Sequence, residues 1–374
     1  MKIGLVLDDT LDTSDGVQQY VLSVGGWLAA QKHEVHYLVG HTTRTDVPGV
    51  HPLSRNLRVK FNGNRMSMPL PASRRKLRDF LAEQQFDVLH VQVPYSPFLA
   101  GRILSVAPKT TAVVGTFHIL PYSRLVTLGN RLLAVLNSIS ARRFDAMVAV
   151  SRPAAEFARR IYGYRADVVP NPVRLSQFAG AHSARTSLTI VFLGRLVARK
   201  GAQQLLQAVA YVREHGLYTG DFRVIIGGKG ALLSDMERYV SAHGLSDIVS
   251  FAGFVDEEHK ADFLAQADIA AYPSTGGESF GIVLLEAMAA ARGVVLAGNN
   301  PGYASVMEPY PDQLIDPADT KVFAEKLARY LGDAPARRAA AQAQKAYVQR
   351  FDISVVGTQL VAVYAQALQK RGRS

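Results

Sequence analysis

Short runs rich in Val, Ile, Leu and Phe recur along the chain, each followed by a longer stretch with apolar residues every three or four positions. The first run, IGLVL (3–7), leads into a helical pattern from about Val17 to Gln31 and then into EVHYLV (34–39). DVLHVQV (87–93), TAVVGTF (111–117) and AMVAVS (146–151) follow, each with helix-like sequence behind it. Continuous apolar runs alternating with helices predict βαβ units on a parallel sheet. At VVPNPV (168–173) two prolines bracket Asn171 and break regular structure. The rhythm restarts with SLTIVFLGR (187–195), the helical KGAQQLLQAVAYVREHG (200–216), FRVIIGG (222–228), IVSFAGF (248–254), DIAAYPS (268–274) and GVVLAG (293–298). The tail from Phe351 reads as a helix ending in KRGRS. The pattern predicts two α/β domains, 1–170 and 171–350, joined near residues 170–174.

A length of 374 residues agrees with two domains. Hydrophobic residues at 48% and charged residues at 20% fit a soluble globular chain. Cysteine is absent, which excludes disulfides and thiolate metal sites and suits the cytoplasm. MKIGLVLDD is too short and wrongly flanked for a secretory signal, and no run approaches the roughly 20 apolar residues that span a bilayer. The net charge of +11 (42 basic minus 31 acidic) calls for a polyanionic partner: nucleic acid, an anionic membrane surface or a phosphorylated small molecule.

Ligands of open parallel sheets bind at the carboxyl ends of the strands, so chemistry is sought there. GGESFGIVLLEAMAA (276–290) is the most informative stretch. Its second half is apolar on every face, as in a fully buried helix, yet Glu286 sits within it. Ile282 shares a face with Glu286, and Glu278 stands eight residues before Glu286, just ahead of the helix start. Eight residues of helical rise is about 12 Å, beyond the roughly 5–9.5 Å of paired glycosidase carboxylates. Such a pair suits the two ends of an extended ligand, with the helix N-terminus between them offering N–H groups to an anion. A nucleotide-sugar has that form. The competing reading is a Glu286 that is exposed or paired with a structural arginine.

In FLGRLVARKG (192–201), Arg195 ends a strand and Lys200 precedes Gly201 at a helix start, a plausible diphosphate clamp. Gly16, between strand and helix, would let backbone approach a phosphate, or is only a turn residue. His118 ends the strand VVGTFH and either meets a sugar or is structural. Asp8, Asp9, Asp12 and Asp15 fit no EF-hand and read as a solvated acidic loop, with no metal site. GGKG (227–230) is not a P-loop, and the dinucleotide fingerprint, H-E-x-x-H and G-x-S-x-G are missing. SRRKLRDFLAEQQ (73–85) reads as a capped amphipathic helix carrying Arg74, Arg75, Lys76 and Arg78. It is either an interfacial helix on anionic lipid or a crossover helix with a solvated basic end. RLVTLGNRLLAVLNSISARR (124–143), an apolar stripe flanked by arginines, is a second interfacial candidate. Neither interleaves aromatics with its basic residues, which argues against nucleic acid.

Together these residues resemble the retaining GT-B glycosyltransferases of family four: GGESFGIVLLEAMAA matches their E-x7-E motif and GRLVARKG their diphosphate-binding Arg and Lys. The resemblance runs nearly end to end. Within the family, DGVQQYV, FNGN and SRRKLRDFLAEQQFDVLHV are most similar to the phosphatidyl-myo-inositol mannosyltransferase branch. It implies two Rossmann-like domains facing across a cleft, with 351–374 crossing back onto the first. It further implies transfer of a hexose, mannose from GDP-mannose, to a lipid hydroxyl by a cytoplasmic enzyme peripheral to the inner membrane face, with Mg2+ at most stimulatory. Arg195 and Lys200 would neutralise the diphosphate, Glu286 accept from ribose, and the Val255 backbone meet the base. Glu278 with the N–H groups of Phe280 and Gly281, beside Ile282, would grip the sugar. His118 would contact the sugar near the reacting carbon, Gly16 admit phosphate, and Gln18 and Asn62 meet the acceptor. Departures are Pro172 for a usual glycine, Arg199 for a usual acid, Asp15–Gly16 for a two-glycine loop, and HVQVPY for an acidic counterpart. A soluble glycosyltransferase acting on a saccharide or small metabolite is the alternative. A sugar-nucleotide isomerase and a basic binding module are the remaining rivals.

Overall fold

The computed structural model describes residues 1–13, 15–61, 64–69, 72–121, 124–136, 141–180 and 187–372. The chain forms two units: Met1–Pro172 with Ile353–Ser374, and Val173–Asp352.

The first unit carries a parallel sheet in the order β3-β2-β1-β6-β7-β8-β9, with β1 Lys2–Leu7, β2 Glu34–Val39, β3 Val50–Pro52, β6 Val88–Val91, β7 Ala112–Phe117, β8 Ala146–Ala149 and β9 Asp167–Val168. Its helices are α1 Gly16–Ala30, α2 Arg74–Gln84, α3 Leu99–Val106, α4 Arg124–Leu136 and α5 Arg152–Tyr162. Strand alternation divides the core between the two faces. Ile3, Leu5 and Leu7 of β1 pack in a cluster with residues of α1 and the C-terminal helix, whereas Val6 packs with residues of α2 and α3. An antiparallel hairpin, β4 Asn56–Phe61 with β5 Asn64–Pro69, interrupts the series. Its signal is the period-two alternation of NLRVKF, weaker than the apolar runs of the buried strands. Asn62 lies outside the described residues.

The second unit repeats the architecture. β10 Leu188–Leu193, β11 Phe222–Gly227, β12 Val249–Gly253, β13 Ile269–Tyr272, β14 Val294–Gly298 and β15 Leu314–Ile315 form a parallel sheet ordered β12-β11-β10-β13-β14-β15. Around it lie α6 Ala202–Glu214, α7 Leu233–Ala242, α8 Lys260–Ala265, α9 Ile282–Ala290, α10 Pro301–Val306, α11 Thr320–Gly332 and α12 Ala334–Tyr347. In both sheets the order reverses beside the first strand, between β1 and β6 and between β10 and β13, the point at which open parallel sheets take their ligands.

The last helix, α13 Ile353–Lys370, returns to the first unit. Val356, Leu360, Val363 and Tyr364 are buried there at helical spacing. The Tyr364 hydroxyl bonds His90 Nδ1 at 2.7 Å, and His90 Nε2 bonds Thr116 Oγ1 at 2.5 Å, joining α13 to β6 and β7. Burial pushes the His90 imidazole down to about 3, so it is neutral and each ring nitrogen needs a partner. Among the described residues no helix is long and apolar enough to cross a membrane. Tyr364→Phe, which leaves His90 Nδ1 unpaired, is expected to cost about 1–3 kcal/mol by denaturant titration; an unchanged midpoint would show that this bond does not fasten the helix.

Candidate active site

In the second unit the site is built where the sheet order reverses, between β10 and β13. Half-buried Arg195 follows β10, and a 3-10 turn, Ala198–Lys200, carries Arg199 and Lys200 to the start of α6. Gly201 holds a left-handed φ of +80°, and a Cβ there would lie 1.8 Å from the Pro273 carbonyl oxygen. Only glycine lets the two loops approach so closely. The Ser274 hydroxyl and the Thr275 N–H both donate to the Arg199 carbonyl at 2.9 Å, stitching the β13 loop to the basic turn.

That stitching delivers Glu278 to the cations. Its Oε1 lies 2.6 Å from Arg199 Nη1 and 2.9 Å from Lys200 Nζ, and accepts from Ser274 Oγ at 3.2 Å. Burial raises the carboxyl, but the Lys200 and Arg199 charges outweigh it and hold Glu278 below the usual carboxylate range. Burial lowers the Lys200 ammonium despite Glu278. The carboxylate is thus ionised and fixed. Arg199, expected only as a departure from the family pattern, supplies the shorter of the two ion pairs.

Phe280 and Gly281 follow, with Gly281 at the N-cap of α9 and no side chain capping the helix. Gly281 has φ +126°, and a Cβ would meet the Tyr303 ring at 2.7 Å. The first N–H groups of α9, beginning at Ile282, therefore lack a side-chain cap, an arrangement that can receive an anion.

Every residue of α9 from Leu284 to Ala290 is buried, Glu286 included. Its partner is a lysine rather than an arginine. Lys260 Nζ lies 2.6 Å from Glu286 Oε1 and 2.7 Å from Glu257 Oε2. Burial lifts Glu286 above the usual carboxylate range against the pull of Lys260. The two carboxylates raise Lys260 despite its own burial, so the ammonium stays charged. Half-buried Val255 lies just beyond β12. Next to it Phe254 is exposed, with Lys229 Nζ 5.6 Å from its ring centroid. Lys260, Glu257, Phe254 and Lys229 were not singled out from the sequence; DEEHK reads as surface charge, and only the fold brings Lys260 under α9.

The first unit has its own cluster. His118, just past β7, is buried, and its Nε2–H donates to Gln92 Oε1 at 2.9 Å, leaving Nδ1 as an acceptor. Tyr20 packs edge-on at 4.9 Å. Burial drives the imidazole down to about 3, so it is neutral at physiological pH and offers a hydrogen-bond acceptor rather than a cation. Gly16 opens α1, whose N-cap residue Asp15 makes no side-chain cap bond. The Gln18 amide is buried and donates to Asp9 Oδ2 at 3.0 Å.

The acidic loop is not simply solvated. Asp8 is hydrogen-bonded by Ser96 Oγ and by the Ala100 N–H at 2.5 Å, and burial raises it to about 7. Burial raises Asp9 to about 6. Asp12 is tied to Thr42 and Thr43. Among the described residues no group of three or more His, Cys, Asp or Glu is arranged to hold a metal ion.

Two family models match the chain in succession, "Glycosyltransferase Family 4" over residues 14–177 and "Glycosyl transferases group 1" over residues 176–347. The phosphatidyl-myo-inositol mannosyltransferase of Mycobacterium leprae is 30% identical over 375 residues, covering 97% of this chain and 96% of its own. That of Propionibacterium freudenreichii is 31% identical over 400 residues, covering 100% and 97%. The chain belongs to glycosyltransferase family 4. Its fold is shared by sucrose-phosphate synthase from Thermosynechococcus elongatus, with a TM-score of 0.76 at 20% identity over 99% of this chain and 100% of that one. Anabaena HepE in complex with UDP and glucose gives 0.76 at 16% identity, covering 98% and 99%. The chain is therefore a GT-B glycosyltransferase.

Within this glycosyltransferase, α2 presents Arg74, Arg75, Lys76 and Arg78 to solvent. The expected side-chain cap is missing, because Ser73 occupies the N-cap without bonding through its hydroxyl. Its apolar face is not free for lipid either: Leu77 and Leu81 are buried and Phe80 packs on the same core.

Breaking a buried ion pair costs about 3–5 kcal/mol. Lys260→Met should therefore destabilise the second unit by about that amount, and Lys260→Met with Glu286→Leu should recover much of the loss. Urea titration distinguishes these outcomes, and a silent Lys260→Met would show that the pair is not buried in solution.

Proposed function

We propose that the protein is a retaining hexosyltransferase that moves mannose from GDP-mannose to a hydroxyl of a membrane lipid acceptor such as phosphatidylinositol. The observation that carries the reading is Glu278, ionised and clasped by Arg199 and Lys200 beside the open N-terminus of α9. Identity of 30–31% over nearly the whole length to phosphatidyl-myo-inositol mannosyltransferases supports the mannosyl donor and the inositol lipid.

In this reading the acceptor hydroxyl attacks the anomeric carbon from the side of the departing diphosphate. The new C–O bond forms as the old one breaks, a phosphate oxygen takes the hydroxyl proton, and the anomeric configuration is kept. Charge grows on the diphosphate, so Arg195, Lys200 and the α9 N–H groups stabilise the transition state more than the ground state. An ammonium has three hydrogens, so Lys200 can hold Glu278 and a phosphate oxygen together. Glu278, with the Phe280 and Gly281 N–H groups, holds the sugar hydroxyls, and His118 Nδ1 accepts from one of them. Glu286 accepts from the ribose, the Val255 backbone meets the base, Gly16 admits phosphate, and Gln18 and Asn62 serve the acceptor. Arg195 and Lys200 take the neutralising role that a metal has elsewhere, with Mg2+ at most stimulatory. The exposed cations of α2 favour the anionic inner face of the cytoplasmic membrane.

One observation favours a soluble saccharide or small-metabolite acceptor instead: Gln18 is engaged by Asp9, and Asp8 lies in the same loop, an acidic setting for a lipid phosphate.

A screen of GDP- and UDP-hexoses against membrane lipid extract, with mass detection, is expected to yield a mannosyl lipid from GDP-mannose and to do so in excess EDTA. Product formed only from water-soluble acceptors would contradict the lipid assignment. Glu278→Ala should abolish transfer, by about a thousandfold or more, while the protein stays folded by circular dichroism; a variant near the wild-type rate would remove the role given to Glu278.

A further inference from the structure

Helix α4 carries an apolar stripe that the fold leaves uncovered. Leu128, Leu132 and Val135 are 62%, 63% and 71% exposed. Spacings of four and three residues place them within about 60° of one another around the helix. Other large exposed apolar residues among those described, such as Val168, Leu217 and Val322, lie singly on separate elements. Single exposed leucines are ordinary, but three in one stripe are not.

The opposite side of α4 is fixed. Asn130 is buried, its Oδ1 accepts from the Tyr162 hydroxyl at 2.6 Å, and the Tyr162 ring stacks on Tyr164. Rolling the stripe inward would break that buried bond. Arg131 is exposed beside the stripe, and α4, RLVTLGNRLLAVL, contains no acidic residue. Helix α2 has the converse arrangement, with basic residues outside and its apolar face spent on the core.

We propose that α4 inserts Leu128, Leu132 and Val135 into the acyl region of an anionic membrane, so that it, rather than α2, supplies the apolar part of membrane attachment while α2 supplies only charge. The inference rests on the lipid-acceptor reading. An anionic bilayer complements both the stripe and its flanking arginine. A second copy complements the stripe alone, since it would bring Arg131 against Arg131 on two chains of net charge +11.

The chain has no cysteine, so Leu132→Cys can carry a single environment-sensitive nitrobenzoxadiazole dye. On vesicles of phosphatidylglycerol and phosphatidylcholine in equal parts, its emission should shift to the blue and rise several-fold. The same dye on Lys76→Cys should stay water-like, and pure phosphatidylcholine should shift neither. Leu128→Ser with Leu132→Ser should weaken vesicle co-sedimentation by about tenfold or more while leaving the circular dichroism spectrum and hydrolysis of the nucleotide-sugar unchanged. Vesicle-bound protein whose dye at position 132 remains unshifted would overturn the inference and leave the lipid-acceptor reading standing. Failure to sediment with any vesicle would overturn both. A dimer in analytical ultracentrifugation that the double variant abolishes would assign the stripe to a second copy and overturn the inference.

Discussion

One carboxylate oxygen organises the second unit: Glu278 Oε1, held at once by Arg199, Lys200 and Ser274. Such an oxygen keeps its negative charge in a buried setting only because two cations and a hydroxyl surround it. Those groups come from the loops on either side of the reversal in strand order, β10 supplying the cations and β13 the acid. The contact is therefore a property of the topology as well as of the side chains. It depends in turn on Gly201, whose missing Cβ lets the basic turn lie against the Pro273 carbonyl. A site prepared in this way needs little reorganisation when an anion arrives.

The second carboxylate solves a different problem. Glu286 sits in a helix buried from Leu284 to Ala290, where an unpaired charge would be expelled or protonated. Lys260 reaches it from α8 and also touches Glu257, so the buried charge belongs to a three-member network with one cation. In the first unit the neutral pair His90 and His118 achieves polarity without charge, through Tyr364, Thr116 and Gln92. The two clusters thus differ in kind: the glutamates of the second unit are charged and clasped by cations, whereas this histidine pair is neutral and hydrogen-bonded.

Much of the fold was legible because buried parallel strands are apolar throughout and their helices are periodic. IGLVL, TAVVGTF, TIVFL and VVLAG all proved to be strands, and GIVLLEAMAA proved to be a helix begun by its glycine. The E-x7-E spacing and the Arg and Lys after FLG were legible for the same reason, since strand ends and helix starts locate them. What stayed hidden depends on tertiary contact. Nothing local distinguishes Lys260 in DEEHK from a surface lysine, or predicts that Arg199 rather than a solvent ion neutralises Glu278. At α2 amphipathicity left two readings open, because the pattern says that a face is buried and not what buries it; the fold shows that face packed on its own core with the basic residues exposed. The acidic run at Asp8 and Asp9 misled, for burial there reflects Ser96, Ala100 and Gln18 arriving from elsewhere in the fold.

The central claim is that Glu278 recognises the sugar while its neighbouring cations recognise the diphosphate. Calorimetric titration of GDP and of GDP-mannose against wild-type and Glu278→Gln protein tests it most directly. The account predicts that the variant binds GDP within about twofold of wild type but loses the added affinity for GDP-mannose, a change of about 1–3 kcal/mol for charged hydrogen bonds to hydroxyls. Equal losses for both ligands, or none for either, would contradict it.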